Sequence, residues 1–148
     1  MSAIETIKSE LGAVEPERIR WVRYAADCAE RVVDITGPNR SLAEAAIRAA
    51  REWADDPTPE RVRTCKQAVI ALDPVTDPAS AGADTAAAAS AAWAAEAVYS
   101  QDPVSEVAGN AEYTAASASW DSSERASQAD RRRIYGLEID PMGDGGQS

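Results

Sequence analysis

The chain has 148 residues, enough for one ordinary domain that buries about two-thirds of its unfolded surface without a disulfide or a metal. Its 25 acidic and 15 basic side chains give a net charge of −10, which disfavours binding to nucleic acid or to an anionic membrane surface. The sequence contains no histidine, so Ser-His-Asp triads, Cys-His dyads and histidine-based zinc sites are excluded.

Apolar residues recur three and four positions apart along the chain, and no strand-length stretch alternates apolar with polar residues. This pattern predicts an all-α fold, a single-domain bundle of about six helices arranged mostly as antiparallel hairpins. The helical domain is predicted to span residues 15–137. Residues 1–14 are predicted to form an N-terminal arm or short helix, and residues 138–148 a disordered tail.

Proline and glycine divide the first half of the chain into three predicted helices. The first begins near Pro16 and ends at the stretch "TGPN", residues 36–39. The second begins near Ser41, and the third begins after Thr58, which is placed as its N-cap. The short turn between them predicts a tight hairpin, and a proline-bearing loop, residues 73–82, follows the third helix.

The next segment, "ADTAAAASAAWAAEA" at residues 83–97, contains ten alanines and one tryptophan. Alanine is the strongest helix former, so the segment predicts a central helix over residues 84–100 with Trp93 as its large space-filling side chain. The following helix, residues 104–118, has a similar seam of small residues and should pack against it. On this interpretation, replacing Ala89 by leucine overpacks the seam and costs about 1 to 3 kcal/mol.

A last helix is predicted between a cap near Asp121 or Ser122 and a stop at Gly136. Its three consecutive arginines, residues 131–133, fan across about 200° of the helix, so they do not form one phosphate-binding face. The four tryptophans fit core packing. Trp120, between two polar neighbours, is the best candidate for an exposed anchor.

The two cysteines, Cys28 and Cys65, lie among apolar neighbours without a CxxC motif, which predicts a reduced and buried pair. No basic segment followed by an apolar core stands at the N-terminus, and no stretch of about eighteen apolar residues occurs. We therefore expect a cytoplasmic protein. Phosphate-binding glycine loops and calcium-loop spacing are also missing from the sequence, which indicates no cofactor and no metal.

Three motifs resemble those of a family of bacterial immunity proteins: "CAE" in the first helix, "AIRAAREW" in the second and "ERASQ" in the last. The resemblance covers about residues 21–137. The matching positions are Cys28, Ala29 and Glu30; Ala46, Ile47, Ala49, Ala50, Arg51 and Trp53; and Glu124, Arg125 and Gln128. The chain departs from the family pattern in having no histidine in the fifth helix, and Ser127 where an aromatic residue often precedes the glutamine.

The resemblance implies a protein that is not an enzyme and that neutralises a cognate toxin by stoichiometric docking. A strongly acidic chain fits a basic protein partner, such as a nuclease toxin. If the helices alternate in direction, the turns at Asp55, Asp56 and Asp102 meet at one end of the bundle, with Glu106 close by. These four acidic residues and Trp120 are the predicted partner-binding residues.

Two other interpretations stay open. In the first, the chain is a small helical accessory protein of natural-product biosynthesis or self-resistance, and it binds an apolar or cationic metabolite between alanine-faced helices. Such a cavity requires Trp93 or Trp120 to hold the helices apart. In the second, the chain is an enzyme that uses its carboxylates or Cys28.

Overall fold

The structure is a computed structural model that describes residues 16–76, 82–119 and 123–137. Within these ranges it contains no strand and six α-helices: α1 (Pro16–Arg31), α2 (Arg40–Asp55), α3 (Pro59–Leu72), α4 (Ala83–Glu96), α5 (Val104–Ser119) and α6 (Ser123–Tyr135). Short 3-10 segments follow α1 and α3, at Val33–Asn39 and Asp73–Thr76. The predicted all-α bundle is confirmed. The predicted arm (residues 1–14) and tail (residues 138–148) lie outside the described residues.

Local signals in the sequence mark the turn between α1 and α2 and the start of α3. After α1 the chain turns through Gly37, whose φ of 64° lies in the left-handed region that favours glycine, directly before Pro38. α3 begins after Thr58, whose side chain accepts a hydrogen bond from the backbone N–H of Arg61 at 3.1 Å. The start of α3 agrees with the sequence prediction. α1 ends earlier than predicted, at Arg31, and a 3-10 segment carries the chain to the predicted stop at residues 36–39.

The end of α6 follows the predicted glycine stop. Gly136 has a φ of 72°. Its N–H donates to the carbonyl of Arg133 at 3.1 Å, and the N–H of Leu137 donates to the carbonyl of Arg132 at 2.8 Å. This pair of bonds is the Schellman arrangement, in which a glycine reverses the chain and the next residue returns to the protein interior. Leu137 is accordingly buried, and it belongs to the core around α1 and α5.

Side-chain pairs show that α1 and α2 run antiparallel. Arg23, early in α1, contacts Asp55 at the end of α2 at 3.1 Å. Asp27, one turn later in α1, contacts Arg51, one turn earlier in α2, at 2.6 Å. The predicted antiparallel arrangement therefore holds for this pair.

The central helix of the bundle is α4, which packs against α1, α2, α3 and α5. Its contact with α5 is the most extensive between any two helices of the described ranges. At the seam, fully buried Ser90 donates a hydrogen bond to the backbone carbonyl of Ala111 at 2.8 Å. The predicted packing of the two alanine-rich helices is confirmed, although α4 ends at Glu96 rather than at Ser100.

The buried face of α4 differs from the predicted one. The sequence pattern aligns Trp93 with Ala86, Ala89 and Ala97 on one face. Ala97 is fully buried, whereas Ala86, Ala89 and Trp93 are only partly buried. The fully packed alanines are Ala87, Ala88, Ala91, Ala94 and Ala95. Because alanine occupies nearly every side of the helix, the sequence offers little apolar–polar contrast from which to select a face. Trp93 is the one large apolar side chain of α4 and packs against both parts of the core. The largest fully buried side chain of the described residues is that of Trp53 in α2.

Cys28 and Cys65 are fully buried and form no disulfide, as predicted. Burial raises the pKa of each thiol to about 12. At neutral pH both side chains are therefore protonated and enclosed by the core. Neither has the accessible thiolate that a nucleophilic cysteine requires.

Candidate functional site

Polar side chains attach α6 to the rest of the bundle. The buried residues of this helix are Glu124 and Gln128. The carboxylate of Glu124 accepts hydrogen bonds from Nε of Arg31 at 2.8 and 3.1 Å, and Nε2 of Gln128 donates to the backbone carbonyl of Glu112 at 2.9 Å. Most helices are held by a buried apolar stripe. α6 is held instead by polar contacts with α1 and α5.

The centre of this polar interface is the buried carboxylate of Glu112 in α5. It accepts a hydrogen bond from the hydroxyl of Tyr24 in α1 and forms an ion pair with Arg132 in α6. Arg132 Nε also lies 3.4 Å from the Tyr24 oxygen. Burial, reinforced by nearby negative charge, raises the pKa of Tyr24, so its hydroxyl keeps the proton that it donates. The charge of Glu112 is satisfied inside the protein and is not available to a partner.

A second polar group links α1, α2 and the end of α6. Asp27 contacts Arg51 of α2 at 2.6 Å and accepts a hydrogen bond from the hydroxyl of Tyr135 at 2.5 Å. Arg51 also contacts Glu30 at 2.6 Å, and Arg131 lies 3.6 Å from Asp27. These contacts join three helices through one aspartate.

The three consecutive arginines of α6, residues 131–133, pair with three different carboxylates, those of Asp27, Glu112 and Asp130 respectively. They point to different sides of the helix, and each has a partner within the protein. The expectation that they do not form one phosphate-binding face agrees with this arrangement.

Several of the motif residues that carry the family resemblance lie at helix interfaces, although Arg125 of the third motif is exposed. Glu30 and Cys28 of α1, Arg51 of α2, and Glu124 and Gln128 of α6 all belong to the interfaces described above or border them. Their partners lie far away in the chain; Arg31 and Glu124, for example, are 93 positions apart. Residue types alone reveal the charges of such a network but not its pairings.

The two turns predicted to bind a partner lie at the same end of the bundle. The first turns of α1 contact the ends of both α2 and α4: Arg23 donates to the carbonyl of Ala54 at 3.2 Å, and Arg18 donates to the carbonyl of Ala97 at 2.7 Å. The turns after α2 and α4 thus flank the start of α1. Trp120, the predicted anchor, lies outside the described residues.

Asp55 and Asp56, in the first of these turns, are exposed and paired with arginines of the same chain. Asp55 contacts Arg23 at 3.1 Å, and Asp56 contacts Arg61 at 3.3 Å. An exposed pair of this kind contributes little stability, but each arginine offsets the negative charge that a partner would meet. The structure therefore makes these two residues weaker binding candidates than the sequence suggested.

Negative charge is less compensated at the turn between α4 and α5. Asp102 and Glu106 are exposed, and neither forms an ion pair with a described residue. Glu96, which the sequence analysis did not single out, lies partly buried at the end of α4. Partial burial and the charge of Asp102 raise the pKa of Glu96. We call Glu96, Asp102 and Glu106 the acidic turn.

No known protein family, curated protein or solved structure matches the chain. In the part of the chain that the structure describes, no helix has both the length and the hydrophobicity needed to span a membrane. The same residues contain no group of three or more Cys, Asp or Glu side chains placed to hold a metal ion.

Proposed function

We propose that the chain is a cytoplasmic binding module without enzymatic activity, a bacterial immunity protein that neutralises a basic toxin by stoichiometric docking. The observation that carries this proposal is the acidic turn, where the carboxylates of Glu96 and Asp102 are close enough to repel each other and form no ion pair with a cation of the described residues. The motif resemblance gives the class of protein, and the acidic turn gives the surface at which such a partner would dock.

Electrostatics favour a cationic partner at the acidic turn. The raised pKa of Glu96 means that its charged form is disfavoured by partial desolvation and by Asp102. A lysine or arginine placed between the two carboxylates would remove that repulsion and stabilise both charged forms. Exposed charges of the same sign also accelerate association with an oppositely charged protein, particularly at low salt.

The backbone of the acidic turn is also held in place by contacts with neighbouring helices. It connects α4 and α5, the helices that pack most extensively, and its backbone is tied to α1 through the bond from Arg18 to Ala97. Within the turn, the side chain of Ser100 accepts a hydrogen bond from the N–H of Asp102 at 3.1 Å. Because the turn is already ordered, little conformational entropy is lost when a partner binds its carboxylates, which favours affinity.

The residues that the structure describes carry a smaller net negative charge than the whole chain does. Much of the acidic excess stands on residues outside the described ranges: Glu5, Glu10, Glu15, Asp77, Asp121, Glu138, Asp140 and Asp144. The long-range attraction of a basic partner therefore arises from acidic residues along the whole sequence. The acidic turn supplies the local contact.

Charge reversal tests this proposal. The tagged full-length chain is used to isolate its partner from the native host, and the purified partner is then titrated against Asp102→Lys and Asp34→Lys. Asp34 is the control for position, because it is exposed, is paired with Arg40 at 2.7 Å and lies at the opposite end of the bundle. We expect a basic partner in a 1:1 complex that inactivates it, with affinity reduced about tenfold or more by Asp102→Lys only.

An acidic partner, or equal affinities of the two variants, would contradict docking at the acidic turn. A basic partner that is bound but stays active would contradict the immunity function while leaving the docking surface intact. Raising the salt concentration should slow association of the wild-type chain more than that of Asp102→Lys.

A further inference from the structure

A groove of about 240 Å³ lies between α3 and α4. Its lining comprises Val69, Asp73, Ala89, Ala92, Trp93 and Glu96. The two alanines are small side chains, so they take up little of the groove's volume. Trp93 itself is held firmly, because it packs against both parts of the hydrophobic core while staying partly exposed.

Two acidic residues, Asp73 and Glu96, line the groove with the indole of Trp93. Asp73 already interacts with another group of the chain, so the charge available to a ligand is that of Glu96. No ion pair joins Glu96 to a described residue of the chain. The lysine of α3, Lys66, is engaged elsewhere, with its ammonium group 5.3 Å from the centre of the Tyr99 ring. The groove therefore combines an aromatic surface, apolar walls and negative charge.

This combination selects for an organic cation. The face of an indole attracts a cation, most strongly where water is partly excluded, and quaternary ammonium groups are commonly recognised in this way. A hydrated metal ion would need several oxygen ligands in a compact set, and here apolar side chains share the lining with the two carboxylates. The volume is below the roughly 300 to 1,000 Å³ of pockets for drug-sized ligands, so the ligand must be small.

We propose that the groove between α3 and α4 binds a small organic cation with an apolar body, such as a quaternary ammonium compound or a protonated alkylamine. Trp93 contacts the apolar surface of the cation, Ala89 and Ala92 give it room, and Glu96 supplies the countercharge. This ligand site does not depend on the toxin-neutralising function, and its test needs no protein partner.

Titration calorimetry of the full chain with choline tests the site, with 3,3-dimethyl-1-butanol as the uncharged analogue of the same shape. We expect choline to bind in a 1:1 ratio at micromolar to millimolar concentrations, and the alcohol to bind at least about tenfold more weakly. Equal binding of the two compounds, or no binding of choline at millimolar concentrations, would overturn the proposal.

Variants locate the binding in the groove. Glu96→Gln keeps the shape of the side chain and should weaken choline binding about tenfold, whereas Glu106→Gln removes an exposed carboxylate that does not line the groove and should have no effect. Ala92→Leu should abolish binding by filling the groove that Trp93 lines. Unfolding curves verify that each variant is folded. Undiminished binding by folded Ala92→Leu would place choline elsewhere and refute the site.

Discussion

The hydroxyl of Tyr24 donates a hydrogen bond to the carboxylate of Glu112, a residue 88 positions further along the chain. Arg132 reaches the same carboxylate from α6, so one buried negative charge joins the first, fifth and sixth helices. A charge in the interior is tolerated only when it is neutralised and hydrogen-bonded. The stability of this region therefore depends on keeping all three partners together.

Removing the tyrosine hydroxyl should expose this dependence. Tyr24→Phe leaves the ring in place but removes one hydrogen bond to a buried carboxylate, and we expect a loss of about 1 to 3 kcal/mol in the free energy of unfolding, measured by urea denaturation. Tyr113→Phe is the matched control, because Tyr113 is exposed, and it should change stability by less than about 0.5 kcal/mol. Equal effects of the two substitutions would show that the Tyr24–Glu112 bond adds no stability.

The packed face of α4 can be mapped with leucine substitutions. Ala91 is fully buried, so Ala91→Leu should overpack the core and cost about 1 to 3 kcal/mol. Ala89→Leu, for which the sequence pattern predicted the same penalty, extends into the groove instead and should cost less than about 0.5 kcal/mol. Thermal or urea unfolding of the two variants gives the comparison. A larger penalty at Ala89 would support the sequence-based choice of face.

Glu96 should make the stability of the protein depend on pH in the acidic range. Its pKa is raised in the folded chain, so the folded state binds this proton more tightly than the unfolded state does. The resulting stabilisation is complete below the ordinary glutamate pKa and is lost as the pH rises through the raised value. Glu96→Gln cannot ionise and avoids that loss. Its stability relative to the wild type should therefore increase from acidic to neutral pH, as followed by urea denaturation at each pH.

A stability difference between Glu96→Gln and the wild type that stays constant with pH would contradict this assignment. Glu106→Gln provides the comparison, because it removes a neighbouring exposed carboxylate of the same turn.

The polar attachment of α6 should make this helix the least protected of the bundle. Salt screens ion pairs that reach the surface, such as the half-exposed Arg31 with Glu124, and it has little effect on apolar contacts. Amide hydrogen exchange followed by mass spectrometry should show faster exchange in Ser123–Tyr135 than in Ala83–Glu96, with the difference growing as salt is added. Equal protection of α4 and α6 at all salt concentrations would show that the polar contacts hold α6 as firmly as a packed core.

The features that were predicted correctly depend on neighbours in the sequence. Thr58 at the start of α3 and Gly136 at the end of α6 act on backbone groups within a few residues, and their roles can be recognised from sequence alone. The acidic turn was identified only in part, because the sequence pattern selected Asp102 and Glu106 but not Glu96. The sequence also does not show that Asp55, in the other predicted turn, is paired with Arg23. Long-range pairings depend on how helices cross, which local patterns do not determine.

The central position of α4 has a consequence for synthesis of the protein on the ribosome. α1, α2 and α3 each pack against α4, but α4 is made after all three, so their inner faces cannot be covered until Glu96 has left the exit tunnel. During that interval the nascent chain exposes apolar surface, including Trp53, which is fully enclosed in the finished fold. The time at which α4 emerges from the ribosome thus determines when the apolar surface of the first three helices is buried and no longer promotes aggregation.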